Sequence, residues 1–169
     1  MRDTRGLAVV VVLFMALVAT TSGRTVEEAI ATLRAVDLEG RTWSADRLRG
    51  RVTLIDFWAT WCAPCLTELP YLKQARATYP REEFEILGVS FDVSDRRALQ
   101  SWLNRQGVDW PQVFDGRGRL GLVARHFGII AVPTSFLIGA DGQVAGTNLR
   151  GKQLLNRIEK EVRELRASR

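Results

Sequence analysis

The chain has 169 residues, which is enough for one packed domain and short for two. Hydrophobic residues make up 46% of it and charged residues 25%, the composition of an ordinary globular protein. The formal net charge is +5, but Lys and Arg are interleaved with Asp and Glu and form no basic block with aromatics between. No nucleic-acid partner is therefore expected.

The N-terminal segment, residues 1–23, differs from the rest of the chain. Arg2 and Arg5 precede an apolar run from Leu7 to Ala19, and an export signal combines such a basic start with an apolar core of about 7–15 residues. The run is marginal as a membrane span, which takes about 20 apolar residues. The segment is predicted to be a signal peptide or an N-terminal membrane anchor, and either one carries the rest of the chain across a membrane.

A linker or a short helix is predicted over residues 24–35, because Thr25 and Glu28 stand at capping-box spacing. Two short strands about the turn Glu39-Gly40 are expected next. They open the main domain, which is predicted to span residues 36–169.

A central strand is predicted at RVTLIDFW, residues 51–58, because this run is almost entirely apolar, as in a strand covered on both faces. Asp56 interrupts the run, and the alternation of side chains along a strand points its carboxylate toward the core. A helix is expected to follow from Cys62 to about Tyr79. Pro70 lies inside that helix and should kink it.

Strands and helices alternate through the remaining residues. The predicted elements are a strand at Phe84–Phe91, a helix ending at Gly107, a short segment around Val113, a helix around Leu120–Gly128, a hairpin through Ala140-Asp141-Gly142, and a helix from Lys152 to about Ala167. This order predicts an α/β fold with a central mixed sheet flanked by helices.

Cys62 and Cys65 are the only cysteines of the sequence. A structural disulfide that closes so short a loop would contribute only about 2 kcal/mol. A closed zinc site needs four ligands, and His126, expected on a helix surface, is the single histidine. No metal site is predicted, and copper delivery remains a weak alternative. Cysteines that only fill an apolar core would not need this spacing.

A redox pair explains the spacing of the two cysteines. Residues i and i+3 in a first helical turn bring their Cα atoms within disulfide range. The helix N-terminus stabilises the thiolate of the first cysteine. Cys62 is therefore expected to be the exposed nucleophile and Cys65 the buried resolving thiol. Pro64 is tolerated, because amides in the first turn lack partners within the helix.

Two segments carry a family resemblance. IDFWATWCAPC, with Asp56 and Pro70 on either side of the cysteines, resembles the active-site segment of thioredoxins, and AVPTSFLI resembles the cis-proline segment of that superfamily. The N-terminal segment and the extra residues 94–115 resemble the extracytoplasmic TlpA/ResA-like group. The group often carries Asn where this chain has Asp56. The resemblance implies a thioredoxin-like fold with a TlpA-like helix-strand insertion, and a disulfide between Cys62 and Cys65.

The resemblance also implies the roles of individual residues. It places Pro133 opposite the cysteines and makes Asp56 and Glu68 the candidate carboxylates for taking the proton of Cys65, although Glu68 could equally be a solvated helix residue. The implied lining of the substrate groove consists of Trp61, Ala63, Pro64 and Val132. No cofactor is expected.

The predicted function is a thiol-disulfide oxidoreductase that reduces protein disulfides in the bacterial periplasm or at the outer face of the cytoplasmic membrane. A membrane electron donor would recharge it, and some relatives serve cytochrome c maturation. The direction of electron flow follows from Ala63-Pro64, which brings no positive charge to the Cys62 thiolate. The alternatives are a thiol oxidase or disulfide donor, a thiol peroxidase, and a copper-binding chaperone. Thr60 lies two residues before Cys62 rather than three, which disfavours the peroxidase.

Overall fold

The computed structural model describes residues 25–169, so the predicted export segment lies outside the described residues. This part of the chain forms seven β-strands and six α-helices. The strands are β1 (Arg34–Val36), β2 (Thr42–Ser44), β3 (Val52–Trp58), β4 (Phe84–Ser90), β5 (Gln112–Val113), β6 (Thr134–Ile138) and β7 (Val144–Thr147). The helices are α1 (Val26–Ala31), α2 (Ala45–Leu48), α3 (Ala63–Thr78), α4 (Arg96–Gln106), α5 (Leu122–His126) and α6 (Gly151–Ala167). None of these helices is long and apolar enough to cross a bilayer.

Five of the strands form one sheet in the order β5-β4-β3-β6-β7, and β1 and β2 form a separate antiparallel pair. The predicted central strand is β3, which runs parallel to β4 and antiparallel to β6. Helices α3 and α6 contact each other and pack on the sheet. The predicted mixed sheet with flanking helices is therefore confirmed. The apolar stripe of α6 faces this core, with buried side chains at Leu154, Ile158, Val162 and Leu165.

The segment before the sheet forms helix α1 rather than a linker. Its capping box is complete, because the Thr25 hydroxyl accepts from the Glu28 amide and the Glu28 carboxylate accepts from the Thr25 amide. His126, expected on a helix surface, is instead half-buried against this helix. Its Nε2 lies 2.8 Å from the Ala29 carbonyl oxygen. No local pattern indicates this contact, because it joins residues 97 positions apart.

The extra residues 94–115 form α4 and the edge strand β5, as predicted. Both hold Trp58, at the end of the central strand. The Trp58 Nε1–H donates to Gln112 Oε1 on β5 at 2.9 Å, and the Trp58 and Trp102 rings lie 5.1 Å apart between their centroids. Gly88 on β4 makes room for the Gln112 side chain, since a Cβ at residue 88 would overlap its amide group. The insertion therefore fixes an aromatic side chain beside the cysteines.

The overlap at residue 88 gives a test of this packing. Gly88→Ala should lower the free energy of unfolding by about 1–3 kcal/mol, because the new methyl group displaces Gln112 from a close-packed core. In a Gln112→Ala background the same substitution should cost much less. Urea unfolding of the four proteins in this double-mutant cycle measures the coupling. Equal costs in both backgrounds would contradict the close packing of Gly88 against Gln112.

Candidate active site

Cys62 and Cys65 are joined by a disulfide with an S–S distance of 2.02 Å and Cα atoms 5.2 Å apart. Cys62 is the N-cap residue of α3, and its Sγ accepts the amide N–H of Cys65 at 3.3 Å. The Cys65 amide N–H, in the first turn of the helix, therefore points at Cys62 Sγ. This geometry favours a thiolate on Cys62 once the disulfide is reduced.

The expectation that Cys62 is exposed while Cys65 is buried is wrong for this oxidised state. Cys62 is 4% exposed and Cys65 is 6% exposed. The cause is the cap geometry, because Cys62 Sγ turns back over the helix end toward Cys65 instead of pointing into solvent. Of the predicted groove residues, Trp61, Ala63 and Pro64 are exposed. In the oxidised protein the residues next to the cysteines face solvent, whereas the two sulfur-bearing residues themselves are buried.

The Val132-Pro133 peptide bond is cis. Thr134, the first residue of β6, pairs with Phe57 near the end of β3. The strand register thus brings Pro133 to the edge of the sheet from which the chain leaves β3 toward Cys62. Both Val132 and Pro133 are half-buried. The position of Pro133 opposite the cysteines and its catalytic role remain predictions.

Asp56 lies beside Cys65 on the helix-covered side of β3. Both residues line a cavity of about 10 Å³, near the lower limit for holding one water molecule. The other lining residues are apolar or aromatic: Trp58, Leu69, Leu72, Val108 and Trp110. Desolvation by this packing raises the pKa of Asp56 from 3.8 to about 7, and Glu68 raises it further while the charge of Arg150 opposes the rise.

Arg150 reaches this site through the residue opposite Asp56 in the sheet. Asp56 and Ser135 are paired in antiparallel register, so their side chains stand on the same face. Arg150 Nη1 donates to Ser135 Oγ at 2.7 Å. The guanidinium is thereby held near the Asp56 carboxyl, whose ionised form it stabilises.

Glu68 is neither a solvated helix residue nor in hydrogen-bond contact with a cysteine. It is half-buried, and its Oε2 accepts the amide N–H of Gly151 at 2.8 Å. Gly151 begins α6, so Glu68 satisfies an amide that has no partner within that helix. The consecutive residues Arg150 and Gly151 therefore bring a cation toward Asp56 and an amide to Glu68. A catalytic role for Glu68 remains a prediction.

Asp92 fixes the loop that leads into the cysteines. It is 4% exposed, and its carboxylate accepts the Thr60 hydroxyl at 2.5 Å, the Thr60 amide at 3.1 Å and the Ser90 hydroxyl at 2.8 Å. Thr60 stands two residues before Cys62, so this network anchors the cysteine loop to the end of β4. Neither Asp92 nor Arg150 was predicted from the sequence. Only an acidic residue directly after a buried strand could have suggested Asp92, and nothing local suggested Arg150.

The comparisons with known proteins agree with this geometry. The AhpC/TSA family model matches residues 25–147. Thiol-disulfide oxidoreductase ResA of Bacillus thuringiensis subspecies konkukian is 30% identical over 129 residues, which cover 76% of this chain and 72% of that protein. The thioredoxin domain of a thiol-disulfide oxidoreductase from Bacteroides vulgatus superposes with a TM-score of 0.67 at 28% identity, covering 79% of this chain and 95% of that chain. StoA from Bacillus subtilis gives a TM-score of 0.59 at 25% identity, covering 77% and 96%.

The raised pKa of Asp56 predicts a pH-dependent cost to folding. The folded protein holds this proton more tightly than the unfolded chain does, so the stabilisation is fully present below pH 3.8 and is lost as the pH rises through about 7. Asp56→Asn stays neutral and should raise the free energy of unfolding at about pH 8 by on the order of 2–4 kcal/mol, with little effect near pH 4. Urea unfolding across this range measures the difference, with Asp46→Asn as the exposed control. A gain independent of pH would contradict the assignment.

The charges of Glu68 and Arg150 should shift the pKa of Asp56 in opposite directions. Glu68→Gln keeps an acceptor for the Gly151 amide but removes the negative charge, so it should lower this pKa. Arg150→Met removes the opposing cation and should raise it. Carbon NMR titration of the Asp56 carboxyl in the oxidised protein measures both shifts. Shifts of the same sign would show that the two side chains act on Asp56 through packing instead of charge.

Proposed function

The chain belongs to the AhpC/TSA family and is a thiol-disulfide oxidoreductase of the ResA/StoA type; on this premise we propose that it reduces protein disulfides outside the cytoplasm. The observation that carries the proposal is the juxtaposition of Cys65 and Asp56 on one small cavity, with the Asp56 pKa raised to about 7. A carboxyl with such a pKa can both accept and return a proton near neutral pH. The apolar run within residues 1–23 supports export.

The first step is attack by the Cys62 thiolate on one sulfur of a substrate disulfide. A new S–S bond joins Cys62 to that sulfur, the substrate S–S bond breaks, and the other substrate sulfur leaves as a thiolate. The N-terminal amides of α3 support the thiolate form of Cys62 before the attack. Trp61, Ala63, Pro64 and Val132 form the proposed groove for the substrate chain, with Pro133 beside it.

The second step needs a thiolate on Cys65, which its burial disfavours. Asp56 accepts the Cys65 proton, directly or through one water molecule in the shared cavity. Cys65 then attacks Cys62 Sγ, the mixed disulfide breaks, and the substrate sulfur that was bound to Cys62 leaves as a thiolate. Two electrons have passed to the substrate, and the Cys62–Cys65 disulfide remains. In this proposal Glu68 helps to raise the pKa of Asp56 and does not take the proton itself.

The electrostatics around Cys62 favour a reductant. A cation beside the first cysteine would stabilise the thiolate and hence the reduced protein, but no residue from Thr60 to Leu66 is charged. The buried Asp92 carboxylate, which binds Thr60, adds negative charge near this loop. A less stabilised thiolate makes the dithiol a stronger electron donor. A membrane electron donor would return the protein to its reduced form, and cytochrome c maturation is one process that needs such a reductant.

The reduction potential tests the direction of electron flow. Titration of the full chain in dithiol redox buffers, followed by tryptophan fluorescence, should give a value near that of thioredoxin, about −270 mV. Trp58 and Trp61 lie close to the disulfide and supply the signal. A value near −120 mV would make the protein a disulfide donor instead. The absence of any reversible transition would contradict redox function altogether.

The resolving step gives a second test. Cys65→Ser should accumulate the mixed disulfide between Cys62 and substrate, because the attacking sulfur is missing. Asp56→Asn should form that species at the normal rate but release it about 10²–10⁴-fold more slowly near pH 8, because the proton acceptor is lost. Rapid acid quench and mass spectrometry measure both rates. Equal slowing of formation and release in Asp56→Asn would argue against a specific role in the Cys65 step.

A further inference from the structure

An exposed surface next to the cysteine loop combines unpaired arginines with large apolar side chains. We propose that this surface docks acidic, apolar segments of the protein substrates, which places the redox partners of Cys62 among chains with negative charge beside their cysteines. The proposal rests on the proposed function and specifies its substrate class. The surface, called here the basic-apolar patch, consists of Val93, Arg117, Arg119, Leu120, Leu122 and Arg125.

A short series of contacts connects this patch to the attacking cysteine. Asp92 binds Thr60, which stands two residues before Cys62, and Val93 follows Asp92 directly. The Val93 Cγ2 would lie 3.1 Å from a Cβ on Gly118, so Val93 packs against the segment that carries the arginines. Val93, a member of the patch, is therefore joined to the cysteine loop through its chain neighbour Asp92. A substrate chain held on it would remain within reach of Cys62.

The apolar members of the patch have unusually high exposure for their size. Val93, Leu120 and Leu122 are 77%, 66% and 70% exposed. Trp61, which directly precedes Cys62, is 66% exposed and extends the same apolar character to the disulfide. Aromatic and apolar side chains that stay in solvent beside a reactive group mark a surface that a partner covers.

The charge of the patch determines which partner fits. Arg117, Arg119 and Arg125 are exposed, and within residues 25–169 none of them forms an ion pair. Asp115 is the only acidic residue from 115 to 125. Its carboxylate is occupied by the backbone, accepting the Arg117 amide at 3.0 Å and the Leu122 amide at 2.9 Å. The guanidinium groups are thus available to carboxylates of a partner, which they would attract and orient.

Gly118 allows the backbone between Arg117 and Arg119 to pack closely against the end of β4. Gly118 has a φ of 54° and no room for a side chain, because a Cβ would meet the Phe91 carbonyl oxygen at 3.0 Å. The loop is therefore pressed onto the end of β4, and the flanking Arg117 and Arg119 side chains remain in solvent. A rigid backbone that displays charged side chains loses little entropy on binding.

The test uses two peptides with one intramolecular disulfide and identical apolar residues, which differ only in glutamates or lysines beside the cysteines. The full chain, recharged by dithiothreitol, should reduce the acidic peptide with a kcat/KM about tenfold higher at low salt, and added NaCl should shrink this preference. Arg117→Glu/Arg119→Glu should abolish or invert the preference. Reduction of neutral bis(2-hydroxyethyl) disulfide normalises each protein for its cysteine chemistry.

The matched control is Arg105→Glu/Arg163→Glu, which makes the same change of charge toward the opposite end of β4. Arg163 lies one turn before Arg166, which binds Glu83 ahead of β4. Arg105 lies in the last turn of α4, four residues before Asp109, which binds Arg81. This control should keep the preference for the acidic peptide. Equal loss in both variants, or no preference in the unchanged protein, would overturn the proposal.

A lipid-binding role and a failure of redox function would each give a distinct result. If the charge reversal weakens binding to phosphatidylglycerol vesicles but leaves the peptide preference intact, the patch binds lipid and the proposal is wrong. If the unchanged protein fails to reduce even the small neutral disulfide, the proposed redox function fails before docking is tested, and the docking proposal falls with it. Retained reduction of the small disulfide without peptide preference contradicts the docking proposal alone.

Discussion

A half-buried, desolvated carboxyl beside the buried Cys65 is the constraint on which the rest of this site depends. Asp56 is the charged residue in a mostly apolar central strand, and the cavity it shares with Cys65 is barely large enough for one water molecule. Burial raises its pKa to about 7, so the protein loses folding stability whenever this group ionises. A sequence that only had to fold would place an apolar residue at this position. The loss of folding stability at Asp56 has a functional reason if this carboxyl must take up the proton of Cys65.

Segments far apart in the chain combine to hold this carboxyl at its pKa. The insertion closes the cavity with Val108 and Trp110, while Gln112 and Trp102 fix the neighbouring Trp58. These residues desolvate Asp56 and raise its pKa. On the neighbouring strand β6, Ser135 accepts a hydrogen bond from Arg150, which precedes α6. The charge of Arg150 limits the rise in the pKa of Asp56. The pKa near neutrality is the balance of desolvation and the charge of Glu68, which raise it, against the charge of Arg150, which lowers it.

The parts of this structure that local sequence determines were predictable, and those set by distant contacts were not. The alternation of apolar runs, the glycine at the end of α4 and the turn at Ala140-Asp141-Gly142 each act within a few residues, so the order of strands and helices was correct. The charge pattern at Asp56 was visible because one carboxylate in a buried strand is rare. Arg150 and Asp92 were missed, because their partners Ser135 and Thr60 lie 15 and 32 residues away. The burial of Cys62 was missed for a different reason, since it depends on the direction of one sulfur at a helix cap.

The two cysteines share nearly the same burial, so the different roles proposed for them must come from their surroundings. Cys62 Sγ accepts the Cys65 amide N–H at the start of α3, an environment that favours a thiolate without a proton acceptor. Cys65 lies one turn further along α3 and shares the cavity with Asp56, and in the proposed mechanism its thiolate forms when the ionised carboxyl takes its proton. In the proposed mechanism the Cys62 thiolate is therefore formed before the substrate arrives, whereas the Cys65 thiolate forms only after a proton transfer. This asymmetry gives the order of the two attacks, because a helix end and a buried carboxyl supply unlike environments to residues only one turn apart.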